Sequence, residues 1–355
     1  MKTRAYVTLD GLRGVAAVCI VVLHCYRYFG DMMWSSAALA VDLFFVLSGF
    51  VLSSAYDGRF AGGMSWRGFI KARCVRLYPL YLLGFLLGTS AEILSIHYHR
   101  GAIELSPAQF WTTLPFAALM LPAPGSDLFP FDIPMWSVFF EVLINLVWAI
   151  LWKPLRSNRT LTAIILLSGL GLLVSVASGQ KLTTLGATWP TFAGGFFRVS
   201  YSFFVGVMLY RLRNARLIPR TPSTLLLAAL PAILFLPLGT GAQLITVLFI
   251  LPWFVLLGSR AKSRGWTRVI SHQLGAASYG VYTLHYPAYL LSYAAALEIL
   301  SVDLRWFDPW IGIAFIFAVI TACLILNLYY ERPARKWLAR RFDATIVREG
   351  VTQAR

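Results

Sequence analysis

Ten stretches of this chain run for about 17 to 23 residues with scarcely a charge, at roughly 9–29, 37–56, 77–96, 135–152, 161–178, 194–210, 223–239, 241–258, 275–297 and 309–330. A helix needs about 20 mostly apolar residues to cross a bilayer, and hydrocarbon tolerates only backbone whose amides are satisfied internally. The runs therefore predict an all-α polytopic membrane protein, a bundle of about ten transmembrane helices. Composition agrees: 58% of residues are hydrophobic, 13% are charged and the mean hydropathy is +0.69, values that exclude an ordinary water-soluble domain. The apolar run around 110–121 is too short to span and is bracketed by Pro115, Pro122 and Pro124. It is expected at the outer interface or as a re-entrant turn.

A net charge of +16 would suit a nucleic-acid partner if the cations clustered on one surface. They alternate with the apolar runs instead. With the N-terminus inside, all of the 31 Lys and Arg residues except Arg27, Arg100, Lys181, Arg198 and Arg305 fall on cytoplasmic segments or edges. That is the positive-inside pattern; it predicts both termini in the cytoplasm and an even number of crossings. The basic balance then implies membrane lipids with anionic headgroups, and a phosphate-bearing substrate, as partners, and no nucleic acid. Arg13 and His24 interrupt the first run and no small-residue cleavage site follows it, so it is expected to stay as the first transmembrane helix. Cys19, Cys25, Cys74 and Cys323 show no ligand-like spacing and are expected to be free and buried. With no internal repeat or soluble domain, the chain divides into a bundle over 1–335 and a basic cytoplasmic tail over 336–355.

Ionisable groups at membrane depth are costly, so each one that occurs there is a functional candidate. In "LDGLRGVAAVCIVVLHCYRYF", Arg13 and His24 are eleven residues apart. At 100° per residue they return to within about 20° of one face, about 16 Å apart along the axis. Asp10 lies near the same stripe. In "AALAVDLFFVLSGFVLSSAY", Asp42 is about five residues from the outer end, as is His24 in the first run, so the two are expected at one depth. A carboxylate there would fix the imidazole tautomer and raise its basicity; a polar pair that only joins two helices has the same signature.

Arg73 and Arg76 in "RCVRLYPLY" are one helical turn apart at a cytoplasmic edge. Two guanidinium forks held close suit phosphate or pyrophosphate, and snorkelling arginines share that spacing. In "PMWSVFFEVLIN", Ser137, Glu141 and Asn145 form one polar stripe, and Trp136 is either an aromatic wall for a sugar or part of the interfacial belt. In "ASYGVYTLHYPAYL", Ser278, Tyr282, His285 and Tyr289 share a face that Pro287 can kink. A lone intramembrane histidine such as His285 reads first as a satisfied hydrogen-bonding partner. Glu331 and Pro333 in "LYYERPARKW" read as a helix stop with a local salt bridge.

In order along the chain, "LDGLRGVAAVCIVVLH", "VDLFFVLSGF", "RCVRLYP", "MWSVFFE", "SYGVYTLHYP" and "ERP" resemble the membrane-bound acyltransferase-3 family, bacterial O-acyltransferases that decorate envelope sugars and some small metabolites. "WSVFFE" departs from the family's usual "WSLxxE". No attached hydrolase-like domain is seen, so the bundle alone is expected to complete the reaction. The resemblance implies an acyl-CoA donor, usually acetyl-CoA, taken from the cytoplasm as a co-substrate, with no permanently bound cofactor and no metal. It implies an acceptor hydroxyl on exopolysaccharide, O-antigen or a lipid-linked sugar, and a place in the bacterial cytoplasmic membrane. His24 takes the family's main catalytic position. The expected mechanism has Arg13, Arg73 and Arg76 on the donor phosphates and His24, steadied by Asp42, as general base, with Glu141 as a further catalytic carboxylate. Trp136, Tyr282 and His285 are the expected substrate contacts and oxyanion donors, and an acyl-enzyme on Ser137 or Tyr282 is the covalent variant. The rival class is a proton-coupled transporter or flippase of sugar-lipids, for which buried His, Asp and Glu would form a relay; within the enzyme class, the rival acceptor is a small secondary metabolite.

Overall fold

The computed structural model describes residues 6–98, 105–215, 218–299 and 301–341. The helices are α1 (Val7–His24), α2 (Ala40–Ala61), α3 (Trp66–Tyr98), α4 (Pro107–Ala118), α5 (Met135–Ile150), α6 (Trp152–Leu155), α7 (Asn158–Ala177), α8 (Phe192–Leu212), α9 (Ser223–Leu234), α10 (Thr240–Ile245), α11 (Leu251–Arg260), α12 (Gly265–Ala294), α13 (Trp310–Leu326) and α14 (Arg332–Arg341). Among the described residues the only bridge between extended segments joins Asp127 to Thr188. The chain is an all-α polytopic membrane protein.

Among the described residues, seven helical stretches are long and apolar enough to cross a membrane. The shorter apolar helices α5 and α9, and the 30-residue α12, occupy the other three predicted runs. Several boundaries move: α1 ends at His24, about five residues before the end of its run, and α3 begins at Trp66 and α12 at Gly265, each about ten residues before the apolar run, because the helix continues through the basic and polar residues ahead of it. The predicted stop at Glu331 is also corrected. Glu331 does pair with Arg335, but a π turn over Asn327–Glu331 carries α13 into α14, so Pro333 lies within the continued helix just after that turn. Residues 342–355 of the predicted tail, and Lys2, Arg4, Arg100, Arg216, Arg348 and Arg355 of the charge count, lie outside the described residues.

Leu166, Leu167, Phe249, Phe317 and Trp306 stand on the outside, the inverse of a water-soluble surface. Inside, close packing is set by small residues. Gly49 of α2 faces the carbonyl of Phe203 in α8, and Gly206 of α8 faces that of Val46, so any Cβ at either position would collide with backbone. Such contacts let membrane helices approach where no hydrophobic drive between them exists. Cys19, Cys25 and Cys323 are buried and free; Cys74 is free but exposed, a correction to its expected burial.

The run around 110–121 becomes α4 and the turn after it. Its start is closed by a capping box: Ser106 Oγ accepts from the Gln109 amide at 3.3 Å, Gln109 Oε1 accepts from the Ser106 amide at 2.9 Å, and Pro107 opens the helix. Its end folds back onto the middle of α3, where the Tyr78 hydroxyl donates to Ala118 O at 2.9 Å and that of Tyr81 donates to Ala117 O. The segment 119–134 then returns along α3 to the start of α5.

Candidate active site

α1 and α12 run parallel with an almost constant register. Gly11 lies against Ser271, Gly14 against Leu274, Arg13 against Gly275 and Ser278, His24 against His285, and Tyr28 against Ser292. Contact this close needs Gly14 and Gly275: a Cβ on the first would collide with Leu274, and one on the second would sit 2.6 Å from Asp10 Cβ. Arg13 and His24 both turn to this partner, so the one-face spacing in the sequence is realised.

His24 Nδ1 is 2.8 Å from His285 Nε2, and the rings stack at 5.1 Å between centroids. The hydrogen-bond network assigns the protons. His285 Nδ1 lies 2.9 Å from Val281 O and 2.8 Å from Tyr282 O. A carbonyl oxygen only accepts, so His285 Nδ1 carries the hydrogen and Nε2 carries the lone pair. His24 Nδ1–H therefore donates to His285, and the second nitrogen of His24, Nε2, is left as a lone pair. His285 is fully buried, whereas His24 keeps partial exposure. The ring of Tyr286 stands edge-on to His24 at 5.7 Å.

His285 thus takes the place that the sequence offered to Asp42. The Asp42 carboxylate instead accepts from Arg198, at 2.6 Å to Nη2 and 2.9 Å to Nε, in an ion pair with both side chains 0% exposed. Ser202 completes the contact at 3.4 Å, and the Trp136 ring lies under the guanidinium at 5.6 Å. Two expectations are corrected here. Asp42 does not hold His24, and Trp136 packs on this pair rather than lining an open wall. The physical reason is one of charge: a buried carboxylate is far better satisfied by a guanidinium fork than by a neutral imidazole.

His285 is likewise no oxyanion donor, because its one N–H is spent on carbonyls. Tyr282 is beside it, ring centroids 6.0 Å apart, and its hydroxyl is 2.6 Å from Ser137 Oγ. Both hydroxyls also lie 3.1 Å from Pro134 O, so one proton goes to that carbonyl and the other sits between the two oxygens. Neither is left for a developing oxyanion.

About three helical turns nearer the start of α1, the other predicted residues gather. Arg13 Nε donates to Ser278 Oγ at 2.8 Å, its Nη2 donates to Gly275 O at 2.7 Å, and Asp10 is 3.3 Å away. Arg73 Nη2 pairs with Glu141 Oε1 at 2.7 Å, and that oxygen also accepts from Ser48 at 2.9 Å. Arg73, Arg76 and Glu141 all act electrostatically on Arg13. Three arginines with two carboxylates leave a net positive cluster, into which Arg73 Nε–H points with no hydrogen-bond partner. Glu141 belongs to this cluster and makes no hydrogen bond to either histidine, a correction to its grouping with His24.

The residue missed as a partner, His285, had a signal. Gly14 stands ten residues before His24 and Gly275 ten before His285, each histidine following a leucine. Two helices with one Gly-to-His spacing can pack through the glycines and bring the histidines level.

The family described as an acyltransferase domain, of the acyltransferase-3 type, matches residues 6–328. "Protein 2 in picA locus" of Rhizobium radiobacter is 36% identical over 189 residues, 48% of this chain and 95% of that protein. "Acyltransferase MdmB" of Streptomyces mycarofaciens is 28% identical over 163 residues, 42% of this chain and 40% of that protein. No solved structure matches. The family match begins one residue before α1 and ends two residues beyond α13, so it takes in both histidine helices and the arginine cluster between them: this chain belongs to the acyltransferase-3 family and is a membrane acyltransferase.

Proposed function

We propose that the protein moves an acyl group, most simply acetyl, from cytoplasmic acyl-CoA to a hydroxyl of a carbohydrate acceptor of the bacterial envelope, within the cytoplasmic membrane. The observation that carries this reading is the His24–His285 pair, which leaves a lone pair on Nε2 of the partly exposed His24. The arginine cluster supports the donor side. Arg13, Arg73 and Arg76 take the donor phosphates at the end of the bundle where α1 begins. The 16 Å rise expected from Arg13 to His24 is then spanned by the donor's flexible arm.

His24 Nε2 takes the proton of the acceptor hydroxyl as its oxygen bonds to the thioester carbonyl carbon. The tetrahedral intermediate collapses, the C–S bond breaks, and His24 returns the proton to the thiolate. His285 keeps the imidazole in the required tautomer throughout, the part a carboxylate plays in serine hydrolases. The test is His24→Ala in cells and in purified protein. Acyl mass on the envelope glycans should vanish, while the protein stays in the membrane and still binds CoA. A His24→Ala protein with wild-type acylation would overturn the reading.

A further inference from the structure

Asp132 is 4% exposed, and neither of its carboxylate oxygens has a hydrogen-bond partner among the described residues. Its backbone is fixed: the Asp132 amide donates to Phe129 O at 3.2 Å, and the Met135 amide donates to Asp132 O at 2.9 Å. The carboxyl group opens on a cavity of about 10 Å³ walled by Tyr81, Phe85, Phe129 and Phe131. That volume takes one water-sized or hydroxyl-sized group. Tyr81 cannot satisfy the carboxylate, since its hydroxyl donates to Ala117 O.

The position relates Asp132 to the histidine pair. A Cβ on Gly84 of α3 would be 2.9 Å from Thr283 O and 3.5 Å from Asp132 Oδ2, so both lie against the same glycine of α3, and Thr283 is about 3 Å along the α12 axis from His285. Around α12, Thr283 and His285 are 200° apart, with Tyr282 and Tyr286 between them. Tyr282 bonds to Pro134, two residues from Asp132, and Tyr286 edges His24. Asp132 and His24 therefore stand at one depth, on either side of a ridge made by the two tyrosines.

A buried carboxylate without donors is destabilising, and a leucine of similar size would be cheaper. Its chemistry specifies what completes it: a carboxyl group exchanges a hydrogen bond with an O–H, and a cavity of that size admits a single hydroxyl. We propose that Asp132 is a specificity residue that accepts a second hydroxyl of a sugar or polyol acceptor and so selects which hydroxyl reaches His24. The inference rests on the acyltransferase reading above.

The test uses the full-length protein with Asp132→Leu and Asp132→Asn, beside His24→Ala. Three readouts are needed: acyl mass and position on envelope glycans, affinity for CoA by calorimetry, and melting temperature. Leaving the acceptor's buried hydroxyl without a partner should lower glycan acylation by roughly ten- to a hundredfold in Asp132→Leu. CoA affinity should be unchanged and the melting temperature equal or higher. Asp132→Asn, which keeps one acceptor oxygen, should retain part of the activity with acyl groups spread to a neighbouring hydroxyl. Wild-type acylation at the wild-type position in both variants would overturn the proposal. So would an activity loss accompanied by weaker CoA binding and a lower melting temperature, which assigns Asp132 a structural role. Should Asp132→Leu fail to fold, the Asn variant decides alone, by amount and position. If His24→Ala remains active while Asp132→Leu does not, the general base is wrongly placed and the recognition residue stands.

Discussion

His285 has one hydrogen and one lone pair on its ring nitrogens, and the structure uses both, so its replacements divide cleanly. Glutamine can still accept from His24 Nδ1–H, whereas leucine cannot. Positioned general-base catalysis contributes typically about 10²–10⁴-fold. His285→Leu should lose most of that in kcat with little change in the KM for acyl-CoA, and His285→Gln should recover a measurable part; steady-state CoA release distinguishes them. Asp42 and Arg198 obey different rules. Removing one member of a fully buried ion pair strands the other charge, at a cost of about 3–5 kcal/mol. Asp42→Ala should therefore lower the melting temperature or abolish expression, and Asp42→Ala with Arg198→Met should restore much of it, as thermal unfolding of the purified variants will report. At this scale Arg13 and His24 were readable from an eleven-residue spacing alone. The partner of Asp42 was not. Depth along a helix follows from sequence position, but azimuth does not, and Arg198 lies 156 residues away on a helix whose facing is decided by packing.

The parallel packing of α1 on α12 is what holds the dyad together, and it depends on missing side chains. Gly14→Leu, or Gly275→Val, should part the helices and pull His24 from His285. The expected result is a protein that still reaches the membrane but loses acyl transfer, with CoA binding weakened as well because Arg13 anchors on Gly275 O; calorimetry and glycan mass spectrometry check the two effects separately. Helices as elements were the most legible level, since hydrophobic runs of spanning length have few alternative folds. Their ends were less so. The leading turns of α3 and α12 contain Arg, Lys, Ser and His, which hydropathy reads as loop although the helix runs through them. The segment 119–134, which delivers Asp132, has no periodicity to read; its course follows from tyrosine hydroxyls on α3 that capture the last carbonyls of α4.

At the scale of the whole molecule, the distribution of Lys and Arg predicts both termini on the cytoplasmic side. A green fluorescent protein fused after Arg355 should fluoresce in cells, and alkaline phosphatase fused there should be inactive; the opposite pair of results would reverse the orientation. The dyad also joins segments 261 residues apart in the chain. Chains are made at about 5–20 residues per second, so the first helix waits roughly 15–50 s in the membrane before its partner exists. During that interval Arg13 has neither Ser278 nor Gly275 to bond. Asp10, one turn away at 3.3 Å, is the only counter-charge made at the same time. The acid that accompanies Arg13 thus doubles as an escort during insertion, and the proposed acyl-transfer site cannot come into being until α12 has joined α1 in the membrane.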